Sequence, residues 1–139
     1  MFQQISFMQN WIATHILDCT STLRKPFLLG EFGISSKHGV FKPENRKCFM
    51  ETIYTMFYVS ALGGSAMAGV MVWQLLPKGL ENFNDGYEIV LSEDEPISQI
   101  ILQHSLRLQE LQDLTDIDNG VCPIKTKTQI CPLKLKCCW

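Results

Sequence analysis

The chain has 139 residues, 46% hydrophobic and 19% charged, with a formal net charge of -2, a balance that suits one globular domain with a real core and excludes a disordered segment. That charge leaves no basic field for a nucleic-acid backbone, and no apolar stretch reaches the roughly 20 residues that cross a bilayer, so neither nucleic acid nor membrane is expected as a partner. The first residues, Met1-Phe2-Gln3-Gln4-Ile5-Ser6, carry neither a basic region nor a long apolar core, so no secretory signal is visible and the chain as written is expected to stay in the cytosol.

Over residues 7–23, Phe7, Trp11, Ile12, Ile16, Cys19 and Leu23 recur at helical spacing, which predicts an amphipathic helix with one buried stripe. Arg24 and Lys25 suit the negative end of its dipole, and Pro26 stops it. The run Pro26-Phe27-Leu28-Leu29-Gly30-Glu31-Phe32-Gly33 shows no alternation and reads as a buried parallel strand covered on both faces, with Glu31 at its end. A polar loop leads to a second helix starting near Pro43 and Glu44, with a buried stripe of Phe49, Ile53, Met56, Phe57 and Ser60. Gly63-Gly64 ends it, and residues 66–76 read as a second buried strand. Helix, strand, helix, strand is the pattern of a parallel α/β sheet.

Asn84-Asp85-Gly86 signals a turn, residues 87–91 a short extended piece, and Ser92, Asp94 and Pro96 the start of a third helix. Its apolar positions Ile97, Ile100, Ile101, Leu108 and Leu111 carry it to about Leu114. Residues 1–115 are therefore expected to form the folded part and 116–139 an irregular, cysteine-rich tail. Cys122, Cys131, Cys137 and Cys138 crowd that tail without paired Cys-x-x-Cys knuckles, so no metal is expected.

Consecutive parallel strands present their ends on one face, which sets Glu31 beside Trp73. An indole stacks on the apolar face of a pyranose while a carboxylate reaches the anomeric carbon, so the pair points to a carbohydrate site. A strand-end glutamate held in an ion pair and a core tryptophan are the plainer alternatives. Glu81, Asp85 and Glu88 are expected to be solvated or ion-paired surface groups. His15, His38 and His104, each alone in sequence, are expected on the surface or on helix faces.

Gly30-Glu31-Phe32-Gly33, residues 60–75 ending in Val72-Trp73-Gln74-Leu75, and Asp85-Gly86-Tyr87-Glu88-Ile89-Val90-Leu91, with the entry helix from Trp11-Ile12 to Arg24-Lys25-Pro26, resemble the C-terminal part of plant-type endo-β-1,4-mannanases. These blocks stand in the family's order over residues from about 7 to 108. The family consists of retaining family-five glycoside hydrolases on a (β/α)8 barrel, so the resemblance implies an incomplete barrel running from the sixth helix to the last. A whole barrel takes about 250 residues, of which this would be about a third.

The resemblance assigns Glu31 as the catalytic nucleophile and Trp73 as a substrate-binding residue at the cleavage point, and it implies a mannan-type polysaccharide, no cofactor and secretion into the plant cell wall. The family's acid/base ends its fourth strand, and the 30 residues before Glu31 have no room for it. The expectation is thus a truncated mannanase with little activity of its own. Cellulase chemistry, a non-catalytic sugar-binding remnant, and a fragment that self-associates through uncovered strand edges stay open beside it. The family's Pro-Gly turn after Glu-Phe-Gly is replaced here by Lys37-His38-Gly39-Val40-Phe41.

Overall fold

The computed structural model describes residues 2–37 and 42–118. His38 and the rest of its loop to Phe41, and the cysteine-rich tail from residue 119, lie outside the described residues. The elements are helix α1 (Phe2–Asp18), extended by a wide π-helical turn at Cys19–Leu23, strand β1 (Phe27–Phe32), helix α2 (Pro43–Leu62), strand β2 (Met67–Val72) and helix α3 (Glu95–Asp118). The order is the predicted one. Helix α1 begins earlier than expected, and α3 runs past Leu114.

Local chemistry explains the joints. Arg24 adopts a left-handed backbone (φ 52°), and the Lys25 N–H closes the π-helical turn on Cys19 O at 3.1 Å, after which Pro26 forbids further helix. Pro43 occupies the first turn of α2, where its missing N–H costs nothing. At the far end the Gly63 N–H returns to Val59 O at 3.0 Å, and Gly64 takes φ 65°, a conformation open to glycine.

Strands β1 and β2 pair in parallel, with α2 as the connection between them. Leu75 and Ile89 add an isolated parallel bridge, so the extended piece predicted at 87–91 is one bridge and not a strand. The core gathers on one side of the sheet: Ile12 from α1, Leu29 and Phe32 from β1, Met50, Ile53, Tyr54 and Phe57 from α2, Met67 from β2, and Ile97 and Ile100 from α3. This is a mixed helix and strand architecture with a partial parallel sheet.

Two expectations about burial need correction. Leu28 is 55% exposed and Met71 50%, so the strands are not covered on both faces; only the helical side of this two-stranded sheet is packed. On α1, which packs against α2, Ile12 is buried, but Phe7, Trp11 and Leu23 of the same predicted stripe are exposed. Of the two places expected for His104, the surface or a helix face, it takes the second: it is buried on the face of α3 that meets Tyr54 and Phe57 of α2.

Arg46, on the first turns of α2, carries a structural role that no local sequence pattern marks. Its buried guanidinium donates to Ile34 O from Nε and Nη2 (3.2 and 2.9 Å), to Gly86 O from Nη2 (2.8 Å) and to Glu88 O from Nη1 (3.1 Å). Asp94 stands 3.8 Å from Nη1. A fixed planar fork of donors suits several carbonyls at once, so one side chain gathers the loops that follow both strands.

Candidate active site

Glu31 is the fifth residue of β1, and an irregularity in the strand decides which way it faces. Leu29 pairs with Val70 and Phe32 with Val72, so β1 spends one residue more than β2 over this interval. Strict alternation would put Glu31 on the same face as the buried Leu29. The extra residue lets Phe32 take the buried side instead and leaves Glu31 exposed.

Trp73 directly follows β2, and its N–H donates to Phe32 O at 2.9 Å, which ties the two strand ends together. The Trp73–Gln74 peptide is cis. The indole is 43% exposed, so the core reading of this residue is set aside. Gly33 makes the close approach feasible: a Cβ there would lie 2.5 Å from Trp73 O and 3.0 Å from the Tyr87 ring.

Glu31 and Trp73 line one open cleft of about 530 Å³. Its apolar lining comes from Trp11 and Ile12 of α1, from Phe49 and Ile53 of α2, and from Tyr87. By helical spacing Trp11 and Phe49 belong to the buried stripes of α1 and α2. Their place in the cleft depends on how α1 and α2 meet, which spacing along one helix does not reveal. Among the described residues lining the cleft, Glu31 is the sole carboxylate.

Among the described residues, the other acidic candidates are held by hydrogen bonds and not by ion pairs. Glu81 Oε1 accepts the Gly79 N–H at 3.0 Å, and Glu88 Oε2 accepts the Gly86 N–H at 2.7 Å. Asp85 takes the Trp73 indole N–H on Oδ2 at 2.8 Å and the Tyr87 N–H on Oδ1 at 2.9 Å. The indole donor, followed by the backbone donor, holds the Asp85 carboxyl below the usual carboxylate range. His15 donates from Nδ1 to Trp11 O at 2.7 Å, has its ring near those of Trp11 and Phe27, and is not among the residues that line the cleft. No group of three or more His, Cys, Asp or Glu side chains among the described residues forms a metal-binding set.

Known proteins give this geometry a context. The chain is 41% identical over 105 residues to mannan endo-1,4-beta-mannosidase 7 of Arabidopsis thaliana, a match covering 76% of the chain and 24% of that protein. It is 39% identical over 114 residues to mannan endo-1,4-beta-mannosidase 5 of Solanum lycopersicum, covering 82% and 28%. Against the putative mannan endo-1,4-beta-mannosidase 9 of Oryza sativa subsp. japonica it is 36% identical over 109 residues, covering 78% and 27%. No protein-family model matches the chain. The chain spans about a quarter of the length of the curated relatives it matches.

Proposed function

We propose, from the premise that this chain is a partial homologue of the plant mannan endo-1,4-β-mannosidases, that it carries the nucleophile half of a mannan-cleaving site on a portion of a (β/α)8 barrel. The observation that carries the reading is the cleft shared by Glu31 and Trp73. In this reading the Glu31 carboxylate attacks the anomeric carbon of a mannosyl unit seated against Trp73. A bond from carbon to the Glu31 oxygen forms as the bond to the departing sugar oxygen breaks, and water later releases the glycosyl group with retention.

The departing oxygen needs a proton, and a retaining site draws it from a second carboxyl roughly 5 Å from the first. Asp85 does not fit that task, since its lowered pKa keeps it ionised at neutral pH. We assign the proton donor to a part of the barrel that these 139 residues do not span, since the chain covers about a quarter of its relatives' length, with an extracellular site of action as part of the same proposal. The chain by itself then binds mannan pieces with little turnover, which favours the sugar-binding reading for the chain taken alone.

The test is a titration with mannohexaose followed by Trp fluorescence, beside the viscosity of a mannan solution incubated with the same protein. Binding that is lost in Trp73→Ala, without a fall in viscosity, is the expected result. A wild-type chain that thins mannan, with loss on Glu31→Gln, would overturn the predicted inactivity. No response to mannohexaose, with cellohexaose bound instead, would redirect the substrate assignment.

A further inference from the structure

The turn after β2 is braced from several sides. Gly86 sits at φ 96°, and its N–H meets Asn84 Oδ1 at 3.1 Å as well as Glu88 Oε2. Its carbonyl receives the Ser36 N–H at 2.6 Å and the Arg46 guanidinium at 2.8 Å. Lys37 Nζ donates to Asn84 O at 3.0 Å, and Gln74 Nε2 to Phe83 O at 3.2 Å. This framework fixes Asp85 between two donors, one from its own turn and one from the indole of Trp73.

An indole has one polar handle, the Nε1–H, and two apolar faces. Here the handle is occupied. We propose that Asp85 is a positioning residue: it grips the Trp73 Nε1–H and so fixes the ring, presenting its face and not its polar edge to a sugar in the cleft. This deepens the sugar-site reading above and rests on it. Because the carboxyl stays ionised across the neutral range, the bond is charge-assisted wherever the protein is folded and near neutral pH.

Asp85→Asn separates this role from a merely structural one. The amide oxygen still accepts the Tyr87 N–H, whereas the amide nitrogen meets the indole as donor against donor. The full chain has three tryptophans, so a 15N–1H spectrum holds three indole signals, and Trp73→Phe identifies the relevant one. That signal is expected to shift in Asp85→Asn while far-UV circular dichroism stays the same, and mannohexaose affinity to fall about five- to tenfold. In the wild type the same signal should follow an acid titration that persists in Glu31→Gln. That control matters because Glu31 shares the cleft, and Lys37, Arg46, Glu88 and Asp94 are the other charged groups around the turn.

An indole signal unmoved by Asp85→Asn overturns the proposal, and so does undiminished mannohexaose affinity in a variant whose indole signal has moved. Should that variant fail to fold, the wild-type acid titration decides: a Trp73 signal indifferent to pH, or one whose response vanishes in Glu31→Gln, overturns the tether. A wild-type chain that ignores mannohexaose while its Trp73 signal follows Asp85 sinks the sugar reading but leaves the grip on the indole standing.

Discussion

Two glycines flank Glu31, and one atom separates their roles. A Cβ on Gly30 meets nothing within 4 Å, while a Cβ on Gly33 would run into Trp73 O and the Tyr87 ring. Gly33→Ala therefore has to push the Trp73 backbone away from β1, at about 1–3 kcal/mol, whereas Gly30→Ala should stay within about 0.5 kcal/mol of the wild type. Urea denaturation of the two variants checks the contrast, and equal midpoints would refute it. The sequence marks both glycines in one motif but cannot rank them, because what distinguishes them lies forty or more positions downstream. It did place Glu31 at a strand end. It could not show the extra residue in β1 that turns this side chain away from the core, since that shift exists only relative to β2.

Between elements, the packing of α2 against α3 is where apolar spacing said least. Ile53, Phe57, Ile97 and Ile100 were legible as buried because they repeat at helical intervals. Arg46 and His104 were not, because a polar side chain goes inside only when distant partners or neighbours accept it. Arg46 found carbonyls on two loops. His104 found Tyr54, with ring centroids 4.3 Å apart, and Phe57, but its Nε2 is buried with no hydrogen-bond partner among the described residues.

Burial, then the nearby Arg107 charge, pushes the imidazole from its ordinary 6.5 down to about 4. The unfolded chain takes up this proton first, so stability is full above pH 6.5 and declines as the pH falls, with about 3 kcal/mol lost by pH 4 and little more below that. His104→Phe keeps a ring between the helices and removes the titration. Its melting temperature should hold up between pH 6.5 and 4 better than that of the wild type. Parallel acid dependences for the two proteins would show that other groups govern it.

For the molecule as a whole, the informative surface is the bare side of the sheet. Parallel strands are ordinarily covered on both faces, and an unpaired strand edge is a template for another chain. Here Leu28 and Met71 lie exposed on neighbouring strands opposite the packed helices, and the chain spans about a quarter of the length of its relatives. The helix and strand order and the parallel pairing were legible from periodicity and from the short glycine-bounded runs. Coverage of the second face was not, since nothing local to a strand reports whether a partner exists. A second copy of the chain offers the same apolar face and the same open edges. Self-association should therefore rise with concentration between micromolar and about 100 μM in light scattering, the range in which uncovered sheet surface finds partners. Leu28→Lys with Met71→Lys puts two charges on that face without touching the core, and should move the association to higher concentration while leaving far-UV circular dichroism unchanged. A wild-type chain that stays monodisperse throughout that range would show that the exposed face is tolerated in water as it stands.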